Sequence, residues 1–382
     1  MADTGPDPAP APAPKGILLK ADTIAEPFLA EVKASLASGI SRAPKLVGIL
    51  ATANAPSRSY AEFTRKQCVA LGIEFELREV GSALGGGANG SRADGEGVEE
   101  AIIEANADDA VDGLMVYYPI FGKEQDHYLQ QIVSPYKDVE GLNYKFHYNL
   151  YHNIRYLEPK SLLASSPSLA RGPAPPKDDV PPPGTVKSIL PCTPLGVVKS
   201  LERIGVYNAL LPYGDRAYGR TITVINRSEV VGRPLAALLA NDGARVFSVD
   251  IDSIHEYTKR PAAPAASASS SGGEGGPAAA VRRAFHPHHV VRPAPPSFDL
   301  ARCLAISDVV VSAVPSAAYK VPTAALKDGC VCVNVAADKN FEADVREKAS
   351  LYIPAVGKVT ILMLLRNLLR LLQYQDLLKE TS

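Results

Sequence analysis

The segment from Thr221 to Asp252 carries the residue types that could bind a dinucleotide. The β-branched run T-I-T-V-I precedes the turn N-R-S-E-V-V-G, which ends at Gly232, and an apolar helical pattern leads to a second run ending at Asp250. A glycine in such a turn lets the backbone approach a pyrophosphate, which the free N–H groups of the helix start stabilise. The spacing therefore indicates a nucleotide site, although the usual G-x-G-x-x-G pattern is missing.

Asp250 also indicates which dinucleotide would bind. A carboxylate at the end of the second strand accepts hydrogen bonds from a ribose hydroxyl and repels a 2′-phosphate, which favours NAD over NADP. Asp252 could share this role, and on spacing alone Asp250 could instead cap a turn. Arg227 and Ser228 could contact the pyrophosphate or simply begin the helix. The residues predicted to bind the cofactor are Asn226, Arg227, Ser228, Val231, Gly232, Asp250, Ile251 and Val314.

Strands that alternate with helices surround this segment and predict an α/β fold of two domains with parallel sheets. Apolar β-branched runs mark the strands, and apolar residues at helical spacing mark the helices. The predicted strands are 46–52, 75–80, 113–118, 221–226, 244–250, 309–313 and 331–335. The predicted helices are 60–71, 98–106, 193–204, one from about Arg233, and 360–379.

Segments rich in Pro, Ala, Ser and Gly interrupt this pattern and divide the chain. Such segments contain too little apolar surface to offset the entropy of folding. We predict a disordered tail at 1–15, a first domain from 16–160 plus 355–382, a flexible insert at 161–185, and a nucleotide-binding domain at 186–354 with a disordered insert at 260–296.

Composition narrows the class of protein. The formal net charge of −1 gives no reason to expect nucleic acid or a membrane surface as a partner. Five scattered cysteines and the lack of a targeting pattern predict a reduced, cytoplasmic location. The C-x-C pair at Cys330 and Cys332 lies in an apolar run and is predicted to be buried in a strand, so no metal site is expected.

Seven motifs occur in a recognisable order. They are VGILATANAPSRSYAEFTRKQ, GLMVYYPI, SPYKDVEGLN, LPCTPLGVV, GRTITVINRSEVVGRPLAALL, SDVVVSAV and PAVGKVTILMLLRN. Together they resemble the methylenetetrahydrofolate dehydrogenase/cyclohydrolase family over nearly the whole chain outside the inserts, and most of all its monofunctional, NAD-dependent fungal members. The resemblance implies a folate-binding α/β domain, a Rossmann-like nucleotide-binding domain, a cleft between them, a C-terminal helix that returns to the first domain, and a homodimer.

The resemblance also implies roles for individual residues. Tyr60 would stack on the folate, Asp138 in K-D-V-E-G would bind the pterin ring, and Pro354 would contact the substrate. One carboxylate can accept the adjacent N–H donors of a pterin as a pair. From the residues alone, Asp138 could equally be a loop residue that bonds its own backbone. The catalytic set implied is Tyr60, Thr64, Tyr117 and Asp138.

Two positions depart from the family pattern. Bifunctional members have a lysine four residues after the stacking tyrosine and a glutamine in a V-Q-x-P segment, where this chain has Thr64 and Tyr117. On a helix, Arg65 and Lys66 point about 140° and about 120° away from Tyr60, so neither should reach the same face. Hydride transfer needs alignment of two carbons, whereas hydrolysis needs activated water and proton transfer. The departures therefore imply a dehydrogenase without cyclohydrolase activity.

The expected function is NAD-dependent oxidation of 5,10-methylenetetrahydrofolate to 5,10-methenyltetrahydrofolate. One alternative is a bifunctional enzyme that retains the cyclohydrolase. Another is a regulatory protein that binds folate or nucleotide and has lost its catalysis. Turnover with NAD, and the fate of the methenyl product, distinguish these possibilities.

Overall fold

The computed structural model describes residues 15–38, 42–85, 92–163, 179–260 and 286–380. Most of the tail predicted at 1–15, and residues 164–178 and 261–285 of the two predicted inserts, lie outside these ranges. The first half contains β1 (Ile17–Leu18), α1 (Ala21–Ala37), β2 (Lys45–Leu50), α2 (Ala55–Ala70), β3 (Glu74–Glu79), α3 (Val98–Ala107), β4 (Gly113–Val116), α4 (Lys123–Ile132), α5 (Tyr144–Tyr151) and β5 (Tyr156–Leu157).

The second half continues the alternation of strands and helices. It contains β6 (Val186–Lys187), α6 (Cys192–Arg203), β7 (Thr221–Ile225), α7 (Gly232–Asn241), β8 (Arg245–Val249), β9 (Ile254–Thr258), β10 (Val290–Pro293), α8 (Leu300–Ile306), β11 (Val309–Ser312), β12 (Val331–Asn334), β13 (Leu351–Ile353) and α9 (Gly357–Glu380).

The smaller main sheet has the parallel order β3-β2-β4 and lies next to α2. Gly48 in the central strand pairs with Leu77 on one side and Met115 on the other. A Cβ on Gly48 would lie 3.0 Å from the rings of both Phe75 and Tyr117. The glycine therefore makes room for an aromatic side chain directly over the strand.

The larger sheet has the order β1-β13-β12-β11-β7-β8-β9-β10. All residues of β11 are buried, as expected for a parallel strand covered on both faces. Cys330 and Cys332 are both buried, as predicted, but only Cys332 lies within β12, because Cys330 directly precedes the strand. Ile17 and Leu18, predicted to belong to the first domain, instead pair with β13 at one edge of this sheet.

Two of the sequence predictions are wrong at the other edge of this sheet. The sheet is not parallel throughout, because β9 and β10 are antiparallel to their neighbours. The Asp250 N–H donates to the Ser253 carbonyl at 2.9 Å, and so short a turn cannot hold the crossover that a parallel pair needs. The predicted disordered insert at 260–296 does not extend through 290–293, because these residues form β10.

Helix α9 packs against both α1 and α6. Most of its apolar residues are buried; Leu365, Leu368 and Tyr374 are each 0% exposed. The C-terminal helix thus contacts helices from both halves of the chain, and its assignment to the first domain stays a prediction. No helix among the described residues is long and apolar enough to cross a membrane.

Candidate functional site

Tyr60 and Tyr117 form the aromatic part of a site between α2 and the smaller sheet. Their rings meet edge to face with centroids 6.0 Å apart, and Phe63 stacks on the other side of Tyr60 at 6.4 Å. Burial raises the pKa of both tyrosines well above the usual range, so both phenols stay protonated at neutral pH. Tyr60 is only half-buried, which leaves part of its ring available for stacking on a planar ligand.

Thr64 lies one helical turn after Tyr60 and is 0% exposed. Its hydroxyl donates to the Tyr60 carbonyl at 2.9 Å, so its proton is engaged within the helix. The Thr64 hydroxyl also lies close enough to Tyr117 to offset part of the rise in that phenol's pKa. Arg65 and Lys66 are exposed to solvent, as their predicted directions require. Position 64 thus offers this site a short hydroxyl where a lysine would offer an ammonium group.

Asp138 is buried, and its carboxylate accepts hydrogen bonds from its own loop. The N–H groups of Glu140 and Gly141 donate to Oδ1 at 3.1 and 2.8 Å, and that of Asn143 donates to Oδ2 at 2.8 Å. Burial raises the pKa of Asp138 to about 6, while these hydrogen bonds act in the opposite direction. The geometry is that of a loop residue that bonds its own backbone, which was the alternative left open from the sequence. A pterin role for Asp138 stays a prediction.

Glu140, two residues further on, was not singled out from the sequence. Its Oε2 accepts the Val116 N–H at 3.0 Å, and burial raises the pKa of its carboxyl to about 8. Val116 directly precedes Tyr117, and the Cys192 N–H donates to the Glu140 carbonyl at 3.0 Å, so Glu140 lies beside the aromatic part of the site. The sequence feature that could have indicated Glu140 is the second carboxylate in the same K-D-V-E-G segment.

The turn before α7 has the features of a dinucleotide cradle. Asn226 adopts a φ of +83°, a region that favours glycine. Its side chain stabilises this conformation by donating to the Ala313 carbonyl at 2.8 Å and accepting the Ser228 N–H at 2.8 Å. A Cβ on Gly232 would lie 1.7 Å from the Asn226 carbonyl oxygen, so only glycine fits. This close approach brings the start of α7 against the end of β7.

Arg227 and Ser228 are engaged within this turn. The Arg227 guanidinium donates to the hydroxyls and carbonyls of Ser248 and Ser253 over distances of 2.6–3.1 Å. The Ser228 hydroxyl accepts long hydrogen bonds from the N–H groups of Val231 and Gly232, at 3.3 and 3.4 Å. Arg227 therefore braces the turn against β8 and Ser228 stabilises the helix start, while their contacts with pyrophosphate stay predictions.

A cleft of about 810 Å³ lies at the ends of β7 and β8, a size suited to a cofactor. Asp250 and Ile251 are exposed on one side of it, and Ile251 is 95% exposed. Val314 also lines the cleft, in a loop fixed by a 3.0 Å hydrogen bond from its N–H to the Asn340 side chain. Residues 294–296 and 298–300 form another part of the lining, in a stretch that begins within the predicted disordered insert.

The structure thus gathers the predicted residues into two groups. Tyr60, Thr64 and Tyr117 form one, to which Glu140 is added. The cofactor residues form the other, around the turn before α7 and the adjoining cleft. Pro354 lies just after β13, where its carbonyl accepts a hydrogen bond from the Asn334 side chain at 3.3 Å.

Comparisons with known proteins identify two domains of one family along the chain. A model of the tetrahydrofolate dehydrogenase/cyclohydrolase catalytic domain matches residues 19–140, and one of the NAD(P)-binding domain of the same family matches residues 191–268. The chain is 44% identical to methylenetetrahydrofolate dehydrogenase (NAD+) of Schizosaccharomyces pombe over 93% of this chain and 92% of that protein. It is 46% identical to the Saccharomyces cerevisiae enzyme of the same name over 88% of each.

Solved structures extend the comparison to the fold. The NAD-dependent 5,10-methylenetetrahydrofolate dehydrogenase of Saccharomyces cerevisiae superimposes with a TM-score of 0.76 at 42% identity, covering 96% of this chain and 100% of that one. The Trypanosoma brucei dehydrogenase-cyclohydrolase, at 19% identity and a TM-score of 0.65, shares the fold over 95% of this chain and 99% of that one. The chain belongs to the tetrahydrofolate dehydrogenase/cyclohydrolase family.

Proposed function

We propose that this chain oxidises 5,10-methylenetetrahydrofolate to 5,10-methenyltetrahydrofolate with NAD as the hydride acceptor, and does not hydrolyse the product. The names of the relatives that match most of its length support the dehydrogenase reaction and the cofactor. One observation carries the absence of hydrolysis. Next to Tyr60, the site has a buried threonine whose hydroxyl is engaged with the helix backbone.

On the folate side, Tyr60 stacks on the substrate and a carboxylate binds the pterin ring. Asp138 was the carboxylate implied by the resemblance, but three backbone N–H groups already occupy most of its acceptor sites, too many to leave it free for a pair of pterin donors. The Glu140 carboxylate accepts one backbone N–H, that of Val116, which directly precedes Tyr117. We therefore assign the pterin contact to Glu140, with Asp138 shaping the loop that presents it.

On the cofactor side, the close approach at Gly232 provides the cradle for a pyrophosphate, and Asp250 is exposed at the cleft to meet a ribose. When bound, NAD supplies the nicotinamide carbon that accepts the hydride. The protein holds the two ligands in line and limits the access of water.

The same residues explain why hydrolysis would be lost. Attack of water on the methenyl carbon needs a group that can accept and return a proton. The Thr64 hydroxyl is a very weak base, and burial raises the pKa of the Tyr117 phenol so that it stays protonated. Hydride transfer does not require Thr64 or Tyr117 to gain or lose a proton.

Initial rates with NAD and then NADP test the whole proposal. Reduced nicotinamide and methenyl product are followed in one sample. We expect NAD-dependent turnover in which methenyl product accumulates one-for-one. Methenyl product that disappears faster than without enzyme would show a retained cyclohydrolase. Binding of both ligands without turnover would support a regulatory protein instead.

Exchanging Asp250 for serine should relax the preference for NAD. The change removes the charge that repels a 2′-phosphate, so kcat/KM with NADP should rise about tenfold and that with NAD should fall. Asp252→Ser removes the neighbouring charge and serves as the matched control. Should the control rather than Asp250→Ser change the cofactor ratio, Asp252 would be the ribose-binding residue.

Restoring the bifunctional pattern should require two substitutions. Thr64 is 0% exposed, so Thr64→Lys alone forces a long side chain against Tyr117 and should cost about 1–3 kcal/mol of stability. Adding Tyr117→Gln removes the ring, and the double variant should then hydrolyse methenyltetrahydrofolate measurably. The decay of methenyl absorbance is compared with that in the wild type and both single variants. Equal decay in all four proteins would mean that these positions do not separate the two activities.

We also propose that the enzyme is a cytoplasmic homodimer that supplies one-carbon units for purine biosynthesis. Strand β10 lies at the edge of the described part of the larger sheet, and Val291 on it is 48% exposed. Such an edge can pair with another chain. Light scattering over a concentration series, repeated with Val291→Lys, tests this surface. A wild-type monomer at all concentrations would contradict it.

A further inference from the structure

Asn367 lies in the middle of α9 and is 0% exposed. Its side-chain N–H₂ group donates one hydrogen bond to the Val139 carbonyl and one to the Leu190 carbonyl, both at 2.9 Å. Val139 immediately precedes Glu140, and Leu190 precedes the Pro191–Cys192 segment at the start of α6. One side chain thus joins two loops that are far apart in sequence.

The same two loops are also in direct contact. The Cys192 N–H donates to the Glu140 carbonyl at 3.0 Å. A Cβ on Gly141 would lie 2.7 Å from both atoms of the Leu190 carbonyl and 2.8 Å from the Pro191 nitrogen. The backbone on both sides of Glu140 is therefore held, by Asn367 before it and by the Pro191–Cys192 segment after it.

The contact of Asn367 with the two backbone carbonyls requires a side chain that donates hydrogen bonds. Two backbone carbonyls point at one side-chain nitrogen, and a rotated amide would place its oxygen against both of them. An apolar residue of similar size would fill the space but leave both carbonyls without their donor, and unsatisfied buried carbonyls are costly. An aspartate would add repulsion. The amide is therefore suited to holding these loops together.

We propose that Asn367 is a positioning residue for the folate site, which holds the Glu140 carboxyl in place to accept the pterin N–H groups. This inference rests on the proposed function, in which Glu140 binds the pterin. Asn367 acts from the C-terminal helix, through the Val139 and Leu190 carbonyls. Loss of its donors lets the loop shift, and the carboxylate then no longer meets both pterin donors.

The test compares Asn367→Leu with a matched variant on the same helix. Gln375 also donates its side-chain N–H groups to two backbone carbonyls, those of Asp112 and Tyr136, at 3.3 and 3.1 Å. Gln375→Leu therefore removes the same kind of bonds away from Glu140. For Asn367→Leu we expect the KM for methylenetetrahydrofolate to rise about tenfold, equivalent to about 1.4 kcal/mol, while the KM for NAD changes less than twofold. Gln375→Leu should lower the Tm while leaving both KM values within twofold.

A change in the pH dependence of the folate KM is the second readout, because a merely structural residue would not alter it. The midpoint should move in Asn367→Leu and stay in Gln375→Leu. If Asn367→Leu lowers only the Tm and alters neither the folate KM nor this midpoint, the proposal is overturned. Should Asn367→Leu fail to fold, Asn367→Ser keeps one donor in less volume, and a folate KM between those of the wild type and of Glu140→Gln is expected.

Glu140→Gln separates this inference from the function on which it rests. If Glu140→Gln leaves the folate KM unchanged, the pterin assignment fails, whatever Asn367 does. If Glu140→Gln raises the folate KM and Asn367→Leu does not, the assignment stands and only the positioning role fails. A double variant with the folate KM of Glu140→Gln alone would show that both residues act through the same contact.

Discussion

Replacing Gly232 with alanine should strongly weaken NAD binding. The added Cβ would lie 1.7 Å from the Asn226 carbonyl oxygen and 2.7 Å from its carbonyl carbon. Neither atom can move freely, because the Asn226 N–H bonds the Val249 carbonyl and its side chain bonds Ala313 and Ser228. The turn must therefore open, which displaces the N–H groups that face a pyrophosphate. We expect NAD affinity to fall by at least about 100-fold, or about 2.7 kcal/mol.

Calorimetric titration measures the loss of NAD affinity in Gly232→Ala, and thermal melts measure its loss of stability separately. The overpacked turn should cost about 1–3 kcal/mol of stability in addition to the lost affinity. Gly357→Ala is the control, since a Cβ at the first residue of α9 meets nothing within 4 Å. It should keep the wild-type affinity for NAD. If Gly232→Ala also binds NAD normally, the turn does not approach the pyrophosphate and the proposed cofactor site is wrong.

The strands and helices of strongest periodicity could be predicted from the sequence. β2, β7, β11 and β12 are short β-branched runs buried on both faces, and their predicted bounds differ from the observed ones by one or two residues. Helix α1 was missed, because Pro27 lies inside it and a proline normally argues against a continuing helix. The β9–β10 pair was missed because 31 residues separate Thr258 from Val290, most of them low in complexity.

The two ends of the candidate site were predictable to different degrees. The cofactor turn is local in sequence, so a strand, a turn and a glycine sufficed to indicate it. The folate end depends on which of two nearby carboxylates faces the ligand, and the motif does not state this. Asp138 has a short side chain within reach of three N–H groups of its own loop, whereas Glu140 reaches Val116 on β4. Only the folded loop distinguishes the hydrogen-bond partners on which the two proposed roles depend.

Burial of Glu140 predicts a pH dependence of folate binding that the sequence does not suggest. The pKa of Glu140 is raised to about 8, so its carboxyl is largely protonated at neutral pH before substrate binds. A pterin presents two adjacent donors, which only the ionised carboxylate accepts as a pair. Substrate binding must therefore remove the proton, and affinity should increase as the pH rises towards 8. Below that value, the folate KM should change by up to about tenfold per pH unit.

Glu140→Gln should weaken the binding of the folate substrate and remove the pH dependence of that binding. A glutamine can still accept the Val116 N–H, but its single oxygen and its N–H₂ group cannot accept two pterin donors. Charge-assisted hydrogen bonds contribute about 1.5–3 kcal/mol, so the folate KM should rise about 10- to 100-fold and become flat between pH 6 and about 9. Steady-state kinetics across this range measure both effects, with Asp138→Asn as the comparison. A folate KM that keeps its dependence on pH would place the titrating group elsewhere.

The stability of the substrate-free protein provides an independent check, because it should fall as the pH rises whereas the affinity for folate should increase. Because the folded-state pKa of Glu140 is raised, its contribution to stability is present at acid pH and is lost as the pH rises from about 4.5 to about 8. A neutral glutamine avoids that loss. Glu140→Gln should therefore match the wild type in Tm at low pH and melt higher than it at pH 8, while binding substrate more weakly. A variant that loses both stability and binding at pH 8 would indicate that Glu140 holds the loop together instead of binding the pterin.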